Sequence, residues 1–202
     1  MALQQCGLNL SGTSRELQPH GSTGFPCAGY ASRHTQRQED DIPWHWHDEI
    51  ELISLAEGQM NVSTPSASFL LEKGRLVAIN SGVPHAASAM GECGLRSLVF
   101  SPALICGSDD SVFARKYMRP LAACKAFSGV LLEEECVSRW FAAAHDALAQ
   151  DAPGFEFTVR ENLSRICLRL CERFAGQIDE RASAMDRDDL RVKKMLGCIH
   201  EN

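Results

Sequence analysis

The stretch that decides the fold is Pro43-Trp44-His45-Trp46-His47-Asp48-Glu49-Ile50-Glu51, followed after six residues by Gly58. His45 and His47 share parity, so on a strand both imidazoles face the same side of the sheet. On an unbroken strand Glu51 would stand roughly 13 Å beyond His47, at about 3.3 Å per residue. The three can meet only if the backbone turns between 47 and 51 and carries Glu51 onto a neighbouring strand. A fourth donor, His85, comes after Gly74, Asn80 and the turn Ser81-Gly82-Val83-Pro84. Three imidazoles and one carboxylate suit a divalent transition metal (Zn, Ni, Fe or Mn), with positions left for water or substrate. The same four residues also suit a polar pocket that hydrogen-bonds an organic effector, or a set that only satisfies itself.

Outward from this stretch, the chain from about Tyr30 to Leu132 is a series of short apolar segments. Glu49–Ala56, Gln59–Ser63, Ser68–Glu72, Arg75–Ile79 and Leu95–Phe100 each have strand length. Turn residues part them: Glu57-Gly58, Thr64-Pro65-Ser66, Lys73-Gly74 and Ser81-Gly82-Val83-Pro84. Such close spacing predicts a sandwich or barrel of antiparallel sheet over 30–132. Trp44 and Trp46 flank His45 and should face away from the histidines, packed under the N-terminal segment or the helices. The six acids between Glu39 and Glu51, with no Lys or Arg among them, read as a solvated strand edge. His20, His34, His145 and His200 carry no partner pattern.

After Leu132 the period lengthens. Val137, Trp140, Phe141, Ala144 and Leu148 lie on one stripe of a helix, which Asp151-Ala152-Pro153-Gly154 ends. A second stripe runs Val159, Leu163, Ile166, Leu170, Phe174 and stops at Gly176. The two predict an antiparallel helical hairpin over 133–176. Its second stripe serves either the chain's own core or a partner helix, with Leu163, Ile166 and Leu170 central to the latter. A linker and a third helix, marked by Val192, Met195, Leu196 and Ile199, are expected within 177–202. Residues 1–29, rich in Ser, Gly, Thr and Gln, read as a flexible arm.

Composition excludes several classes. At 45% hydrophobic and 23% charged the 202-residue chain is ordinary for a folded protein. No apolar run exceeds the five residues from Trp140 to Ala144, too few to span a bilayer. The first ten residues hold no basic residue, as a secretory signal would. A net charge of −6 leaves no electrostatic case for gripping nucleic-acid phosphates directly. Nine scattered cysteines without a CxxC pair fit a reducing cytoplasm. No local signature of a catalytic triad or phosphate loop is present.

His45-x-His47-x3-Glu51-x6-Gly58 resembles the first motif of the cupin superfamily, and Gly74-x5-Asn80-x-Gly82-x2-His85 resembles the second. The resemblance implies a jelly-roll barrel with all four metal-ligating positions filled. Glu39, Asn80 and Ala89 depart from the usual glycine, proline and asparagine; they remove no ligand but weigh against an enzyme. The wider pattern, from Pro43 through Leu52 and from Glu72 through His85, resembles the sensor domain of AraC-type transcriptional regulators. So do Ser97-Leu98-Val99-Phe100, the segment from Tyr117 to Leu121 and the helices that follow. This resemblance implies a mainly β chain with a helical C-terminal part. It implies a small-molecule effector bound among His45, His47, Glu51 and His85, and a homodimer joined through the hairpin. DNA would be contacted only through a helix-turn-helix module that the terminal helix would open. The alternative implied by the cupin motifs is a metal-dependent enzyme of dioxygenase or isomerase type.

Overall fold

In the computed structural model, residues 3, 4 and 7–178 are described. Among them are nine strands: β1 (Cys27–His34), β2 (Ile42–His45), β3 (Ile50–Glu57), β4 (Gln59–Ser63), β5 (Ser68–Glu72), β6 (Leu76–Ile79), β7 (His85–Ala89), β8 (Cys93–Phe100) and β9 (Gly129–Leu132). They form two antiparallel sheets, ordered β1-β8-β3-β6-β9 and β2-β7-β4-β5. The sequence segments expected as strands are all present, two of them with the same ends and three with ends shifted by one or two residues.

Parity explains why the five-stranded sheet is so apolar. Ile53 and Leu55 of β3 and Val77 and Ile79 of β6 pack inward against Met60, Val62, Leu71, Ala87 and Ala89 of the opposing sheet. The alternate residues Ile50, Leu52, Leu76, Ala78, Leu98 and Phe100 face the other way and pack on helices. A strand covered on both faces is apolar at nearly every position. At the tight β3–β4 turn, Gly58 has φ +82°. A Cβ there would stand 2.4 Å from the Glu92 carbonyl oxygen, so only glycine fits.

Between β8 and β9 lie α1 (Ala103–Cys106), a π-helical turn (Phe113–Met118) and α2 (Arg119–Ala122). The two long helices, α3 (Glu135–Gln150) and α4 (Phe155–Arg173), follow β9. α3 buries Val137, Phe141, Ala144 and Leu148, and α4 buries Val159, Leu163, Ile166 and Leu170. These stripes meet each other and the outer face of the five-stranded sheet in one continuous core. Leu163, Ile166 and Leu170 are each fully buried within the single chain. Of the two places open to this stripe, the chain's own core and a partner helix, these three side chains occupy the first in the single chain. Trp140 is only partly buried at the edge of that core.

The segment expected as a flexible arm lies hydrogen-bonded along the barrel. Gln4 N–H donates to the Gly29 carbonyl at 2.9 Å, Glu16 N–H to Trp46 O at 2.9 Å, and Trp46 N–H to Ser14 O at 3.1 Å. The Trp46 indole donates to Thr13 O at 3.0 Å, and the Arg15 guanidinium stacks over its ring while pairing with Asp48. Trp46 thus sits under the arm as expected, whereas Trp44 is 48% exposed. β2 is irregular beside it: Ile42 pairs with Ala87 and His45 with His85, one residue more on β2 than on β7. The expected linker and third helix lie, beyond Ile178, outside the described residues. Among the described residues no helix is long and apolar enough to cross a membrane.

Candidate functional site

The chain leaves the four-stranded sheet after His45 and enters the five-stranded sheet at Ile50. This is the turn that the His-x-His-x3-Glu spacing requires. His47 lies within the crossing, its carbonyl accepting from Gly82 N–H at 2.8 Å. That bond ties the first motif to the glycine turn of the second, and β7 then opens with His85 opposite His45. The ligand atoms of His45, His47, Glu51 and His85 all lie within 4.8 Å of one another, and all four residues are largely enclosed.

Backbone carbonyls fix two of the imidazoles. His45 Nδ1–H donates to Pro43 O at 2.9 Å and His85 Nδ1–H donates to Val83 O at 2.8 Å. Each ring therefore turns its Nε2 into the cluster, the orientation in which metal-ligating histidines are usually held. Glu51 Oε2 accepts from His85 Nε2 at 2.9 Å and lies 3.5 Å from His47 Nε2. Burial by itself would raise the Glu51 pKa, but the His47 and His85 hydrogen bonds and charges hold it well below the usual carboxylate range. Burial pushes His85 down, yet the Glu51 bond and charge outweigh it and the net shift is upward. His45, desolvated and beside His85, moves down instead. The cluster fits a divalent transition metal in donor type, spacing and ring orientation, and such an ion would displace the proton that His85 and Glu51 share.

The cluster forms the polar end of a cavity of about 430 Å³, within the size range of small-molecule sites. Strand register orders its wall. Val99 pairs with Glu51 at the cluster end, Ser97 with Ile53 and Tyr30 one step along, and Ser32 with Leu95 one step further. Glu39, Asp40 and Asp41 also line the cavity, so part of the acidic edge, with Glu39 and Asp41 exposed to solvent, borders the pocket.

Two further lining residues, Glu16 and His20, come from the arm. Glu16 Oε2 is 3.4 Å from His20 Nε2 and 3.9 Å from His45 Nε2. Neither was marked by sequence pattern, because they meet the barrel through the pairing of 14–16 with Trp46, a long-range contact without periodicity. Their only local signal is the four-residue Glu–His spacing within an otherwise Ser-, Gly- and Pro-rich segment. His145 is buried elsewhere, donating through Nε2 to the Tyr30 carbonyl at 3.0 Å.

Residues 29–167 match the AraC-like ligand binding domain family. A Bacillus subtilis (strain 168) protein described as the uncharacterized HTH-type transcriptional regulator YdeC is 28% identical over 107 residues, which are 52% of this chain and 37% of that protein. The chain thus spans little more than a third of its curated relative's length. Among solved structures, ToxT from Vibrio cholerae superposes with a TM-score of 0.55 at 7% identity, over 73% of this chain and 57% of ToxT. Unsaturated fatty acid bound ToxT from Vibrio cholerae strain SCE256 gives 0.55 at 10% identity, over 83% and 63%. At such identities the structural likeness speaks for the fold alone. The family match covers more than half of the chain and contains the barrel, the histidine–carboxylate cluster and most of the hairpin, and so the chain belongs to the AraC-like ligand binding domain family.

Proposed function

We infer that this chain is the effector-sensing part of a cytoplasmic transcriptional regulator and not an enzyme. The observation that carries the reading is the cavity itself, polar at the His45, Glu51 and His85 end, with His47 behind them, and apolar along Ile53, Leu95 and Val99. Such a wall takes a small molecule with one polar head and an apolar body. The head is neutral or cationic, because Glu16, Glu51, Asp40 and Asp41 all line the cavity while the guanidinium of Arg33 is engaged by Glu57 at 3.0 Å. Where the four donors hold one divalent metal (Zn, Ni, Fe or Mn), that ion supplies the electrophilic centre for the head group, and the chain's own residues orient and desolvate it.

Binding biases DNA recognition only through unequal affinity for two arrangements of arm, barrel and hairpin. Contact with DNA would pass through a helix-turn-helix module beyond this chain. A homodimer formed on the helical hairpin would use the solvent face of α4, since Leu163, Ile166 and Leu170 belong to the chain's own core. The rival reading, a metal-dependent enzyme, is favoured by the complete ligand set alone. Thermal unfolding with octylamine, octanol and octanoate tests the sensor reading. Octylamine and octanol should raise the midpoint, octanoate should not, and Leu95→Trp should abolish the rise. Equal stabilisation by octanoate, or none by any of the three, contradicts it.

A further inference from the structure

The arm brings two further donors to the barrel wall, where they form a second set with one member of the four-residue cluster. Glu16, His20 and His47 each offer a ligand atom within 4.8 Å of the other two. The Glu16 side chain is 8% exposed and that of His20 is 3% exposed, although both belong to a segment with no hydrophobic core of its own. His47 is shared between the sets: its Nε2 lies towards Glu51, and its Nδ1 is buried without a hydrogen-bond partner.

The proton inventory at His20 shows what is missing. Tyr30 O–H donates to Gln4 Oε1 at 2.8 Å, which leaves the phenol oxygen to accept from His20 Nδ1–H, also at 2.8 Å. In the neutral ring, Nε2 is then a lone pair. That lone pair is buried, makes no hydrogen bond, and faces the Glu16 carboxylate 3.4 Å away. A cation has to stand between these two atoms: either a proton on His20, which the Glu16 carboxylate favours against the cost of burial, or a metal ion held by both, for which His47 supplies a third donor. The Gln4–Tyr30–His20 chain is the kind of outer support that orients a metal-bound imidazole, and two imidazoles with a carboxylate are donors suited to Zn²⁺.

We propose that Glu16 and His20 of the arm, with His47 of the barrel, form a second site for a divalent transition-metal cation of the Zn²⁺ type, which fastens the arm to the barrel. The inference extends the sensor reading by giving the arm its own ligand, but it does not depend on the organic effector. Its location makes it testable: Arg15 immediately precedes Glu16 and lies in the backbone pairing with Trp46. Tryptic cleavage after Arg15 therefore reports whether the arm is docked.

The 202-residue chain, stripped with chelator, is cut by trypsin with and without Zn²⁺, and the fragment beginning at Glu16 is timed by mass spectrometry. With Zn²⁺ at about ten times its dissociation constant, cleavage after Arg15 should slow by about tenfold, because the open arm is depleted by mass action. His20→Gln and Glu16→Gln should each lose most of that protection, while His85→Gln keeps it. Glu16→Gln guards against a folding defect in the histidine variant, since it keeps the size of the side chain. Protection retained in both arm variants, or no protection in the unaltered chain, overturns the proposal. Protection lost in His85→Gln but kept in His20→Gln also overturns it: the ion then sits in the barrel cluster alone, and the effector reading stands without an arm site.

Discussion

Glu51 and His85 join the two sheets from inside the barrel. The carboxylate of β3, in the five-stranded sheet, accepts a 2.9 Å hydrogen bond from the imidazole that opens β7 in the four-stranded sheet. The contact spans 34 residues and places the two signature segments around one space. In the metal-free chain this pair should shape the dependence of stability on pH. His85 is shifted upward, so its contribution is complete below 6.5 and fades as pH rises through the folded value. Glu51 is shifted downward, so its contribution is present above 4.5 and fades as pH falls through the folded value. Urea unfolding should thus be most resistant between those limits. Glu51→Gln should flatten both flanks and cost about 1–3 kcal/mol near pH 6; an unchanged profile would contradict the pairing.

Asn80 holds the second motif to the helical segment. Its amide donates to the Leu121 and Ala122 carbonyls at 3.3 and 3.1 Å, and its oxygen accepts from Ser81 N–H at 2.9 Å. Where the cupin pattern usually has proline, this chain uses a buried amide to satisfy the end of α2. Asn80→Ala should cost about 1–3 kcal/mol in urea unfolding, the price of stranding those groups.

Leu163 and Ile166 pack inside the chain. Leu163→Ala or Ile166→Ala should lower unfolding stability by about 2–5 kcal/mol through the cavity left behind. Sedimentation of the still-folded variants should give the same association constant as the unaltered chain. A large loss of association with little loss of stability would return these residues to an intersubunit role.

Gly58→Ala should be destabilising by about 1–3 kcal/mol, since alanine is strained at this left-handed φ and the Glu92 backbone has to move. Chemical denaturation measures it directly. A neutral result would show that the β3–β4 turn can relax around a methyl group.

The sequence made the barrel legible where local spacing carries the information. The parity of His45 and His47, the offset to Glu51 and the turn before His85 specify a site that closes only if the chain changes sheets. The helical stripes were legible for the same reason, since a core-facing helix repeats every three or four residues. What stayed hidden depends on contacts between distant segments. Glu16 and His20 enter the pocket because residues 14–16 pair with Trp46, and nothing in the arm's own composition announces that pairing. Trp44 faces away from the histidines as parity requires, but the arm covers Trp46 and leaves Trp44 48% exposed, a choice no local signal makes. The second stripe could not reveal whether it faced its own sheet or another copy; burial of Leu163, Ile166 and Leu170 decides for the sheet.

The most direct measurement of the central claim is NMR of the imidazole nitrogens and side-chain methyls during an octylamine titration. The rings of His45, His47 and His85 should shift together with the methyls of Ile53, Leu95 and Val99, all with one binding constant. Octylamine that binds while these rings and methyls stay unchanged would show that the cavity is not the receptor.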